Sequence, residues 1–211
     1  MAYKGSLAIA YIIVFSSLTI ILTLVRAEVP FPFLPYLKFD FAEVPVMIVL
    51  LLMGPIPALI TELIHWVSLT LARGWVLGPL MKFLAVTPMI FGFWVGVKLY
   101  KRIRKSRFNF TLAFALGILF GIVLRVVVCS LTNIAVFLFV MPEYLSFAEW
   151  TLKSVGIAIN SAIDVWVWTL LLTGIFNALH VPISSFIAAI IFRGAMLRMP
   201  SISERAWITK K

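Results

Sequence analysis

Charge is scarce in this chain, and negative charge scarcest: 8 Asp and Glu stand against 18 Lys and Arg in 211 residues, 12% charged in all. Ordinary soluble domains carry roughly 25%. With a mean hydropathy of +1.12, the composition excludes a soluble globular domain. At 63% hydrophobic, it excludes a disordered chain as well. The single cysteine, Cys129, rules out an internal disulfide and any cysteine-based metal cluster. It sits in an apolar run and reads as a packing residue. There is no P-loop lysine motif, no G-x-S-x-G elbow and no H-E-x-x-H pair, so ATP hydrolysis by a P-loop and the commonest hydrolase sites are excluded. Two histidines, His65 and His180, lie far apart in sequence and read as having no carboxylate partner, an expectation that the structure tests. Binding or transport is therefore better supported than catalysis.

What the chain has is long uncharged runs, and these belong in lipid. The formal charge of +10 is concentrated in Lys98–Arg107 and in the tail from Arg193 to Lys211. Both clusters sit beside apolar spans, where positive charge orients a membrane protein toward the cytoplasm. A nucleic-acid partner is not implied. Lys4 precedes nineteen uncharged residues, Leu7–Val25, and Val25-Arg26-Ala27 lacks a small-x-small cleavage pattern. The segment reads as an uncleaved first transmembrane helix.

Spans follow from the runs and their breaks. The first covers about 4–26. Prolines at Pro30, Pro32 and Pro35 preclude a regular helix in the next segment. Gly54-Pro55 reads as a tight turn between a short helix over 41–53 and a third over 55–72, because this placement puts the basic 98–107 cluster on the cytoplasmic side. A fourth helix covers about 77–102 and a fifth about 109–139. A sixth begins at Glu149 or Trp150 and runs to about Leu179, where Pro182 stops it. Residues 183–197 read as an interfacial amphipathic helix, with a seventh span as the alternative. The expected architecture is an all-α polytopic integral membrane protein of six transmembrane helices, with both termini cytoplasmic. Gly92-x-x-x-Gly96 and Gly117-x-x-x-Gly121 lie at similar depth on helices four and five, where lost side-chain bulk permits close internal packing.

Polar groups inside spans cost free energy and mark function or interhelical bonding. They are Glu62, His65, Lys82, Arg125, Asn133, Asn160 and Asp164. Lys82 and Asn133 are expected near the outer face and Glu62 and Asn160 somewhat deeper, while Arg125 and Asp164 fall near the midplane. This distribution suits a pocket open to the outside. The depths of Arg125 and Asp164 also predict an ion pair bracing helices five and six, with a ligand contact for Asp164 as the competing reading.

The stretch Phe31-Pro32-Phe33-Leu34-Pro35-Tyr36-Leu37-Lys38-Phe39-Asp40-Phe41-Ala42-Glu43-Val44-Pro45, followed by Gly54-Pro55, resembles the first loop and short second helix of RibU-type proteins. These are the riboflavin-specific S components of energy-coupling factor (ECF) transporters. The resemblance covers most of residues 4–179, with weaker support from Glu62, Asn133 and Asn160. It implies a substrate-capture subunit over 1–180, followed by a basic tail over 181–211. Such a subunit binds one vitamin near the outer face of the cell membrane and associates with a transmembrane T component and two ATPases, having no ATPase activity of its own. Riboflavin is the implied ligand, carried as cargo with no separate cofactor, and flavin mononucleotide is left open. The family commonly has a lysine where this chain has Ile163, and Asp164 follows.

Flavin chemistry suits these residues. An isoalloxazine ring needs apolar walls and a few amide partners, which Asn133 and Asn160 can supply as donor and acceptor. A ribityl chain would meet Lys38, Asp40, Glu62 or Lys82. For the T component, the family docks through small residues four apart on helix one, which here are Ser6 and Ala10. An S component for another vitamin is the nearest alternative. An intramembrane enzyme or assembly factor using Glu62, His65 and Asp164 is the other.

Overall fold

The computed structural model describes residues 5–104 and 108–210. Lys4, Lys105, Arg107 and Lys211 of the basic segments lie outside them. The chain forms α1 (Gly5–Leu24), a hairpin of β1 (Glu28–Phe31) and β2 (Leu34–Asp40), then α2 (Glu43–Met53), α3 (Pro55–Arg73) and α4 (Leu77–Ile103). α5 (Phe110–Ala135) continues through a π-helical turn over Val136–Val140, and α6 (Glu143–Ser154), α7 (Ala162–Arg198) and α8 (Pro200–Arg205) complete the order. Among the described residues, five helical segments are long and apolar enough to cross a membrane: α1, α3, α4, α5 with its π turn, and α7. α2 is not among them. Its 11 residues reach only ~16 Å at 1.5 Å per residue.

That short helix forms the middle of the core. Every residue from Glu43 to Leu52 is buried, packed against Met89, Ile90 and Phe93 of α4, Phe114 of α5, and Val181, Ala188 and Phe192 of α7. Because α2 stops early, its last carbonyls need donors. The chain's tail supplies them: Trp207 N–H donates to the Leu52 carbonyl at 2.7 Å and Ile208 N–H to Leu51 at 3.2 Å. The Gly54-Pro55 turn is formed as the sequence predicts. Gly54 has φ +92°, and its missing Cβ leaves room for the Trp207 ring. One end of the bundle therefore carries the tail and the other the hairpin.

α4 and α5 cross where the glycines predict. A Cβ on Gly92 would sit 2.3 Å from the Phe120 carbonyl oxygen, and one on Gly96 2.3 Å from that of Leu116. No side chain fits there.

Three expectations need correction. The proline-rich segment is not merely irregular: it forms an antiparallel hairpin with Glu28 opposite Asp40 and Pro30 opposite Lys38, so the chain is not wholly helical. Proline is tolerated because a two-stranded ribbon consists of edges. The sixth span does not begin at Glu149 or Trp150. α6 ends at Ser154, Gly156 takes the left-handed φ of +83°, and α7 begins at Ala162 under a capping box made by Ser161 and Asp164. Nor does Pro182 stop it. α7 runs 37 residues, so 183–197 is its last part and no separate interfacial helix. The proline costs one backbone bond, which a helix packed against its neighbours tolerates.

Candidate functional site

A cavity of about 470 Å³ opens at the hairpin end, within the range that holds small organic ligands. One wall is β2, whose Tyr36, Lys38 and Asp40 recur at two-residue spacing and all line it. α4 contributes Met81, Lys82 and Ala85, α5 contributes Cys129 and Asn133, and α7 contributes Thr173, Phe176 and Asn177. Aromatic rings dominate the upper walls, with Trp75 after α3, Phe137 on the π turn, and Tyr144 and Phe147 on α6. Tyr36 and Phe147 meet across the mouth with ring centroids 5.7 Å apart.

The floor is built on Arg125, 1% exposed. Its Nη1 and Nη2 donate to the two Glu43 carboxylate oxygens at 2.7 and 3.1 Å, a bidentate pair. Nε donates to Asn177 Oδ1 at 2.9 Å, Nη1 also points at Met89 Sδ at 3.4 Å, and Nη2 lies 3.0 Å from His180 Nδ1. A guanidinium has five N–H donors, so all five are spent inside the protein. The floor is electrically paired and has no free Arg125 donor for a ligand. Asn177 Nδ2 donates to the Thr173 carbonyl at 2.9 Å, one turn earlier on α7.

Charges near the mouth are also paired. Lys38 bonds Glu28, which also accepts from Arg73 at 3.1 Å. Lys82 pairs with Asp40, whose other oxygen accepts from the Ala42 N–H at 2.7 Å. Burial opposes the charge on Asp40, but the Lys82 ammonium and the Ala42 N–H outweigh it and hold the carboxyl below its ordinary value. The Asn133 side chain is different. It faces the cavity without a hydrogen bond to any described residue, leaving a donor and an acceptor for a ligand.

Of the residues singled out in the sequence, Lys38, Asp40, Lys82 and Asn133 come together in this cavity. Glu62, Asn160 and Asp164 do not line it. Glu62 is buried in α3 and faces His65 Nδ1 at 3.1 Å, with Glu62 Oε1 and His65 Nε2 unpartnered among the described residues. Asp164 is not at the midplane. As the third residue of α7 it accepts from the Asn160 and Ser161 N–H groups, each at 2.9 Å. The expected Arg125–Asp164 brace is therefore replaced by Arg125–Glu43. That misplacement followed from starting the sixth helix too early. Ser6 and Ala10 are exposed on α1.

Sequence reasoning missed Glu43, Asn177 and His180. Glu43 opens an apolar helix and so resembles a surface residue, but α2 is short enough to bring its start into the bundle. Thr173, Asn177 and His180 share one helical face by spacing, a signal hidden by ending the helix before Pro182.

No family model and no curated protein sequence matches the chain. The fold does match. A solved structure of the S component of a bacterial ECF transporter superposes with a TM-score of 0.69 over 93% of this chain and 99% of that one, at 20% sequence identity. The two proteins share one fold.

Proposed function

We propose that this chain is the substrate-capture subunit of an ECF-type transporter in the cell membrane, and that its cargo is riboflavin. The observation that carries the reading is the single-ended cavity. On a fold shared with an S component, it is open at the hairpin end and floored by the fully paired Arg125. A floored pocket captures a ligand from one side but does not conduct it, so release needs a partner and an energy source. A T component and two ATPases fill those roles, with Ser6 and Ala10 on exposed α1 as the docking surface. Described basic residues at the tail end, among them Lys98, Lys101, Arg102, Arg193 and Arg198, support a cytoplasmic placement of that end.

Riboflavin suits the walls. Tyr36, Trp75, Phe137 and Phe147 offer π surfaces for a flat heteroaromatic ring. Asn133 presents an unpaired amide to a donor–acceptor edge, and Lys38 and Lys82 are within the same cavity for a polyol chain. A different vitamin of similar size is the second reading, favoured by Glu62, Asn160 and Asp164 lying away from the cavity. Co-expression with a coupling module in a bacterium that requires external riboflavin distinguishes the two. Growth at low riboflavin supports the first. Failure to grow with the assembled complex present in the membrane removes it.

A further inference from the structure

We infer that His180 is a positioning residue, which ties the cavity floor to the ligand-facing strand and so sets the height of Lys38 and Tyr36 in the cavity. The inference deepens the capture reading above and rests on it for the role of the cavity.

The argument begins with proton placement. His180 is 2% exposed and meets the rings of Phe39 and Phe176 edge-on at 5.4 and 5.3 Å. Arg125 Nη2 lies 3.0 Å from its Nδ1. A guanidinium only donates, so Nδ1 accepts and the neutral ring carries its hydrogen on Nε2. That Nε2–H has the Asp40 carbonyl oxygen as its acceptor at 3.4 Å, with the Glu43 carboxylate nearby at 3.5 Å. The Asp40 N–H points at the same Nε2 from 3.2 Å, so each ring nitrogen meets a donor, and the shorter, charged contact from Arg125 takes the one lone pair. One ring therefore joins α5, through Arg125, to the end of β2, through the Asp40 backbone.

Fixing Asp40 fixes the strand. Asp40 is the last residue of β2, and a strand advances about 3.3 Å per residue with alternate side chains on one face. Lys38 and Tyr36 therefore stand about one and two pleats from the His180 contact, on the cavity side. The Asp40–Lys82 pair holds the side chain of the same residue to α4, whereas His180 holds its main chain to the floor.

His180→Gln and His180→Leu separate positioning from packing. Glutamine can still accept from Arg125 and donate toward Asp40, while leucine can do neither. The first readout is amide hydrogen exchange of the ligand-free protein in nanodiscs. We expect His180→Leu to speed exchange over residues 36–42 by about tenfold, the loss of one buried hydrogen bond, with α4 and α5 unchanged and His180→Gln near wild type. The second readout is riboflavin titration, in which His180→Leu weakens binding about tenfold and His180→Gln restores most of it. Unchanged exchange over 36–42 in His180→Leu overturns the inference. If no variant folds, 15N correlation spectra of the wild-type histidines decide. An Nε2–H tautomer at His180 upholds the assignment and an Nδ1–H tautomer overturns it. Absence of riboflavin binding by the wild type contradicts the cargo and leaves the exchange and tautomer tests standing.

Discussion

Removing the Arg125 guanidinium while keeping the bulk of its stem, as Arg125→Met does, tests the floor of the cavity most sharply. In the wild type, Glu43 receives two charge-assisted bonds from Arg125 at 2.7 and 3.1 Å, and both side chains are almost wholly buried. Without the guanidinium, the nearest remaining cationic or polar partner of Glu43 among the described residues is His180 at 3.5 Å. Breaking a buried pair from one side costs ~3–5 kcal/mol, because the stranded charge keeps its desolvation penalty. For a chain of this size, each kcal/mol lowers Tm by roughly 2–4 °C, so the expected loss is roughly 6–20 °C. The Glu43→Leu/Arg125→Met double variant removes the stranded carboxylate and should recover at least half of that loss. Thermal unfolding of ligand-free protein in one detergent measures both. A single-variant shift under about 2 °C, or a double variant no more stable than the single, would refute the buried-pair reasoning.

Asp164→Ala should lower the melting temperature slightly by removing the N3 half of the α7 capping box, and riboflavin titration should show binding unchanged. Asn133→Ala should weaken riboflavin binding by ~1–3 kcal/mol, since a buried ligand group loses its partner, whereas Asn160→Ala should leave affinity within error. Gly92→Ala should destabilise by ~1–3 kcal/mol or more through overpacking, because its Cβ would sit 2.3 Å from the Phe120 carbonyl oxygen. Melting curves against Gly121→Ala, where the nearest atom is 3.4 Å away, provide the internal comparison. The lowered pKa of Asp40 gives a pH signature. Its contribution to stability is full above the unfolded value of 3.8 and is lost as pH falls through the lower folded value. Melting temperature from about pH 5 to pH 2 should therefore drop more steeply in the wild type than in Asp40→Asn, with the difference opening below the unfolded value of 3.8.

Much of the architecture was readable from composition and breaks, and the reasons are local. Apolar runs placed α1, α3, α4 and α5, Gly54-Pro55 placed the turn after α2, and paired glycines placed the α4–α5 crossing. The hairpin was not readable because prolines exclude helix without specifying strand pairing. The α6–α7 break was present as Gly156 and the Ser161-x-x-Asp164 capping signature, but continuous hydrophobicity outweighed it. Part of the cavity's polar lining was legible for the same reason. Lys38, Asp40, Lys82 and Asn133 stand out as polar groups near apolar span ends. Glu43 gains its role only from tertiary depth, since Arg125 could have paired with any carboxylate at the same height, whereas Asn177 and His180 were masked by the helix boundary drawn before Pro182.

Flavin binding by the purified protein tests the central claim most directly. The protein is isolated in mild detergent, denatured to release any bound chromophore, and separately titrated with riboflavin while the ligand's fluorescence is followed. The account predicts released flavin absorbance from protein made in riboflavin-containing cells, and saturable quenching at one riboflavin per chain. A folded, monodisperse protein that releases no flavin and leaves riboflavin fluorescence unquenched would contradict it.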